Sequence, residues 1–165
     1  MILADAPADE VEQADYMAMY RSHSGTWESV TTTRLIEADE TLVFKGRWVQ
    51  REILNGTMVE MKGYEEKEGE TYEYMWLYGY DPREESYVGW FHDMRGLNSK
   101  FYGNWSERDK KMTWTLADAE EAGIMVTIVD DLSEPDELRF TFELEGDDGT
   151  LLMTQAGVAT RVKDE

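Results

Sequence analysis

The 165 residues, 41% hydrophobic and 12% aromatic, suffice for one folded domain with its own core, and no apolar run approaches the ~20 residues of a membrane helix. Cysteine is absent, which excludes disulfides, thiolate nucleophiles and cysteine metal sites. The 36 acidic residues against 16 basic ones give a net charge of −20, a field that repels nucleic-acid phosphates and anionic lipid, so neither nucleic acid nor a membrane is expected as a partner.

The opening "MILADAPADEVE" lacks the basic and apolar segments of a signal peptide, and a cytoplasmic protein is expected. Over residues 8–21, "ADEVEQADYMAMYR", Val11, Ala14 and Met17 share a face, with acids early and Arg21 late as the helix dipole prefers. The spacing predicts one helix there, inside an N-terminal extension over 1–24 that precedes a single domain over 25–163.

From Gly25 onward β-branched and aromatic residues alternate with polar ones between short turn signals. Ten strands are predicted, over 25–36, 41–54, 57–66, 70–80, 86–95, 99–107, 111–117, 123–132, 137–145 and 150–163. The connectors, among them E-G-E, D-P-R-E-E, A-E-E-A and G-D-D-G, hold turn residues, and Asn55-Gly56 is the pair a two-residue type I′ hairpin demands. Short connections between consecutive strands make neighbours antiparallel, in an up-and-down order. Ten such strands would leave two bare edges in an open sheet, and closure into a barrel removes them. The expected fold is all-β, a ten-stranded antiparallel barrel with a short N-terminal helix; a sandwich needs longer crossings than any connector here supplies. A barrel of ten is wider than the eight-stranded kind that side chains can fill, so part of its interior is expected to stay open.

Gly25-Thr26-Trp27 directly after the helix, with Arg161 near the end of the last strand, resembles the calycin superfamily of lipocalins and fatty-acid-binding proteins. That resemblance implies a tryptophan closing one barrel end and an arginine packed across it. The stretch "GYDPREESYVGWFHDM" resembles more closely the G-Y-D…Y-V…W hairpin of an uncharacterised bacterial family of calycin-like barrels, a domain of unknown function. "YGNWSERDKKMTWT" and "IVDDLSEPDELRFTFE" extend the likeness over residues 22–162, and it implies fold rather than activity. Nitrobindin-like haem barrels also begin with G-T-W, but they hold iron through a late-strand histidine. Here the late strand "LLMTQAGVATRVKDE" has none, so haem is disfavoured and no cofactor is expected.

Candidate site residues follow from strand alternation. Over 86–95, Val88, Trp90, His92 and Met94 share one face and Tyr87, Gly89, Phe91 and Asp93 the other. The first face is expected inward, because Asp93 is costly in a core. His92 and His23 are the only histidines, too few for a metal site without further ligands, so no metal is expected. His92 is the single candidate for acid–base chemistry; Glu52 and Glu60 are candidates only if alternation turns them inward. Trp48 precedes Gln50, and Met153 precedes Gln155, by two residues on a shared face. The expected ligand site is thus Trp48, Gln50, Trp76, Tyr78, Trp90, His92, Met153 and Gln155, with amides orienting an apolar molecule. The functional expectation is a non-enzymatic carrier or sensor of a small hydrophobic or aromatic molecule. An isomerase or hydrolase using His92, or a packed structural module, are the alternatives, and a homodimer through an exposed Trp105 or Trp114 face is possible.

Overall fold

The computed structural model describes residues 15–163. Its ten strands are β1 (Gly25–Leu35), β2 (Glu40–Ile53), β3 (Met58–Lys67), β4 (Glu70–Asp81), β5 (Ser86–Asp93), β6 (Asn98–Ser106), β7 (Lys111–Leu116), β8 (Ile124–Glu134), β9 (Glu137–Gly146) and β10 (Leu151–Arg161). Each pairs antiparallel with the next, and β1 also pairs with β10 from Trp27↔Arg161 to Leu35↔Met153, so the sheet closes into a barrel without edges. No helix among the described residues is long and apolar enough to cross a membrane.

The expected helix over 8–21 is reduced to α1 (Ala18–Arg21); residues 16–17 form a turn, and residues 8–14 lie outside the described segment. The "AEEA" connector, expected as a turn, is the short helix α2 (Ala119–Ala122), ended by Gly123 at φ 65°. The tight two-residue turn is not at Asn55-Gly56. There Ile53 pairs with Met58 across a longer loop with positive φ at Leu54, Asn55 and Gly56. The two-residue form occurs instead at Glu68-Gly69, φ 56° and 87°, where Lys67 pairs with Glu70.

Inward positions come from the odd residues of β1, β3, β5, β6 and β10 and the even residues of the other strands, as the paired registers and burial show. Aromatic rings are accommodated over missing side chains. A Cβ at Gly157 would lie 2.1 Å from Phe140 Cζ, so only glycine lets that ring lie flat against β10. Trp105 and Trp114, expected to offer an exposed face, point inward instead. Trp114 is 1% exposed, and Trp105 is half-buried opposite Met112, itself fully buried.

Candidate functional site

The barrel has one solid end. At the base, α1 delivers Tyr20 into the interior, where its ring stacks on Tyr78 at 4.5 Å. The Tyr20 hydroxyl donates to Asp130 Oδ2 at 2.6 Å, and Trp114 Nε1 donates to the same oxygen at 3.1 Å and to the Tyr20 hydroxyl at 2.9 Å. Gln50 Nε2 donates to the Tyr20 carbonyl at 2.7 Å. Burial pushes the Asp130 carboxyl up from its ordinary range, opposed by the Tyr20 and Trp114 hydrogen bonds and by His23. Around this plug the core is continuous: Trp27, Val59, Met112 and Ala159 are fully buried.

Trp27 pairs with Arg161, whose guanidinium carbon lies 4.6 Å from the indole centroid. Arg161 also donates to the carbonyls of Ser22, Ser24 and Pro135 and to Asp136, tying the approach to β1 onto the β8–β9 turn. At Gly25 a Cβ would stand 2.8 Å from Arg161 Nη1. The three signature residues therefore form one closing cluster at the base.

Toward the other end the inward side chains are less completely covered. Leu42, Phe44, Glu65, Tyr74, Trp76, Phe91, Phe142, Leu144, Met153 and Gln155 face inward yet are only half-buried. Trp76 packs against Phe91 at 5.1 Å and Phe101 at 5.0 Å, forming an aromatic wall. At the rim, Asp93 accepts hydrogen bonds from Tyr72 Oη, Arg95 Nε and Nη2, and the backbone N–H groups of Arg95 and Leu97. Those donors, the Tyr72 hydroxyl foremost, hold the Asp93 carboxyl down at about 2.

The rim cluster explains a reversed expectation. Because Asp93 is satisfied by Tyr72 of β4 and by its own turn, the face carrying Tyr87, Gly89, Phe91 and Asp93 can be the inward one: Phe91 pairs with Trp76 and Gly89 with Tyr78. Val88, Trp90 and His92 therefore point outward. Trp90 lies across Gly79 on the outer surface, its ring 3.9 Å from where a side chain would begin. His92 Nδ1 pairs with Asn98 Oδ1 at 2.5 Å, outside the cavity, and Met94 is 62% exposed beyond the strand. The interior thus receives neither Trp90 nor His92, and acid–base chemistry there loses its expected group.

Trp48, Gln50, Trp76, Tyr78, Met153 and Gln155 do face inward, but they do not form one site. Gln50 pairs with Gly25, and Gln155 pairs with Thr33, eight residues further along β1, or about 26 Å at 3.3 Å per residue. Gln50 belongs to the plug, while Gln155 Nε2 donates to Thr33 Oγ1 at 3.0 Å nearer the mouth. The two amides do not converge. Glu60 points outward and pairs with Arg51 at 2.8 Å, and Glu52 is exposed near Arg21, so neither enters the cavity.

Between the plug and the rim the interior receives Glu65, an acid absent from the expected set. It follows Val59, Met61 and Gly63 on the inward face of β3, a spacing of two that marks it in the sequence once Val59 is placed in the core. Glu65 pairs with Gly46, and Gly46 with Ser29. A Cβ at Gly46 would stand 2.5 Å from Ser29 Oγ and 3.5 Å from Glu65 Cγ, so the glycine lets the two side chains approach across the strand between them. Burial raises the Glu65 carboxyl above its ordinary range, with the Thr31 hydroxyl acting against that rise. Ser29 Oγ and Thr31 Oγ1 are buried without a hydrogen-bond partner.

Similar folds are known. The S-type phycobiliprotein lyase CPES from Guillardia theta matches with TM-score 0.62 at 10% identity, covering 88% of this chain and 92% of its own. Rv2717c from M. tuberculosis matches with TM-score 0.64 at 11% identity, covering 86% and 94%. At such identities the likeness is one of fold. No curated protein matches by sequence. The family model described as "Protein of unknown function (DUF1579)" matches residues 14–161, nearly the whole barrel with its N-terminal plug, and the chain belongs to that family.

Proposed function

We propose that this protein is a one-ended binding barrel, a carrier or sensor that takes a small aromatic or hydrophobic molecule through the mouth opposite α1. The observation that carries the reading is the change in burial along the interior. Inward side chains at the base are sealed, whereas Tyr74, Trp76, Phe91, Phe142 and Met153 further along the same lumen remain partly accessible. Apolar surface left reachable inside a closed barrel costs stability unless something covers it, and pockets of this composition suit flat apolar ligands. A carrier needs no reacting group, and the outward placement of His92 favours binding over catalysis in this lumen.

The test has two parts. Native mass spectrometry of the protein purified without added ligand, followed by denaturation, identifies any molecule that co-purifies. Titration with the neutral probe 2-naphthylmethanol, read by tryptophan quenching, is expected to saturate at one equivalent per chain. A protein that emerges empty and shows no saturable uptake of the probe refutes the reading.

A further inference from the structure

Inside the lumen described above, one wall is polar and unbalanced. Ser29 and Thr31 of β1 are buried at 6% and 0% exposure, with hydroxyls that meet no partner. Glu65 stands beside them across Gly46, with the Thr31 hydroxyl the nearest internal donor to its carboxyl, while the neighbouring cation and phenol are engaged elsewhere. Lys67, the cation on the same face of β3, pairs with Glu68 at 3.6 Å. Tyr72, directly opposite Glu65 on β4, gives its hydroxyl to Asp93. Among the described residues Glu65 has no ion pair. A half-buried carboxylate without a counter-charge is unfavourable, and it stands here beside two buried hydroxyls that a barrel wall does not need.

We infer that the ligand bound in this lumen carries a positively charged, hydrogen-bond-donating nitrogen, seated on Glu65 with the Ser29 and Thr31 hydroxyls as further acceptors, and an aromatic body against Tyr74, Trp76 and Phe91. The inference rests on the binding-barrel reading and narrows it to arylalkyl amines or amidines. A cationic nitrogen supplies several donors to a carboxylate and two hydroxyls, and the charge-assisted bond is stronger where water is scarce. Aromatic faces also favour a neighbouring cation. The net charge of −20 draws cations toward the protein and repels anionic analogues.

The experiment uses three probes with one body: 2-naphthylmethylamine, 2-naphthylmethanol and 2-naphthoate. Each is titrated into the full chain, into Glu65→Gln and into Glu66→Gln. The last makes the same charge change one residue along, on the exposed outer face, and reports non-specific attraction of a cation to an acidic surface. The amine is expected to bind best and the carboxylate worst. Glu65→Gln is expected to weaken the amine by about tenfold or more and leave the alcohol within about twofold, while Glu66→Gln moves neither by more than about twofold. Circular dichroism confirms that each variant is folded. If the alcohol binds wild type but Glu65→Gln weakens the amine no more than Glu66→Gln does, the cationic assignment is overturned and the binding barrel stands. If none of the three binds, both fall.

Discussion

Replacing Tyr20 by Phe tests the plug with the least disturbance. The ring stacked on Tyr78 and its volume are retained; what disappears is the hydroxyl that donates to Asp130 and accepts from Trp114. Tyr20 is 1% exposed and Asp130 is 9% exposed, so water cannot readily take the missing place. Losing one partner of a buried hydrogen bond costs about 1–3 kcal/mol, and for a domain of this size each kcal/mol shifts Tm by about 2–4 °C. Taking about 2 kcal/mol, the expected fall is about 4–8 °C at pH 7, measured by thermal melting followed by circular dichroism. Glu or Asp side chains elsewhere are untouched, so the effect is local to the plug. On an Asp130→Asn background an amide replaces the carboxyl acceptor that joins Tyr20 to Trp114, and the same Tyr20→Phe change costs about 1 kcal/mol. A fall below about 1 °C in the single variant, or an undiminished fall on the Asp130→Asn background, refutes the account of the plug as a hydrogen-bonded cluster centred on a buried carboxyl.

Other expectations follow from the same geometry. Glu65→Gln should raise Tm at pH 7: the raised folded-state pKa means that Glu65 favours the fold in its neutral form below its unfolded value of about 4.3, and that this contribution is lost as pH rises through the folded value. The gain should vanish in melts near pH 4. Asp93 behaves oppositely. Its folded pKa of about 2 lies below the unfolded ~3.9, so its contribution is present above the unfolded value and lost as pH falls toward 2. Asp93→Asn should flatten that part of an acid-unfolding curve, and an unchanged curve would contradict the rim assignment. Gly157→Ala forces Phe140 to move and should cost about 1–3 kcal/mol by denaturant titration, reduced when Phe140 is replaced by Leu. His92→Ala should change stability by no more than about 0.5 kcal/mol and leave probe binding intact, since the ring lies outside the lumen.

The strands were legible because two signals agree along almost the whole chain: alternation of period two, and turn residues wherever it breaks. Burial of one face then fixed most side-chain directions. The exception is β5, where Val88-Trp90-His92 and Tyr87-Gly89-Phe91 are both apolar enough to be inward. Asp93 was a misleading guide there, because the cost of an inward acid is cancelled by partners contributed from Tyr72, Arg95 and two turn amides, none adjacent in pattern. Gln50 and Gln155 look equivalent in sequence, and only their registers against β1 separate base from mouth. Tyr20 reads as one more apolar position on a short helix. Its role depends on Asp130, distant in the chain, which no local pattern links to it.

Closure at the base also bears on the order of folding. All neighbouring pairs but one join consecutive strands through short loops, so most of the sheet can zip from local hairpins with little loop-closure entropy. The β1–β10 seam and the Tyr20 contacts are different, since they join opposite ends of the chain and form only once the intervening strands are in place. The plug is therefore the last piece seated, and during synthesis the N-terminal segment must wait for β8 to emerge before Asp130 can receive it. Until β10 joins β1 the nascent sheet is an open strip, and it becomes a vessel only when the segment before β1 meets strands made much later.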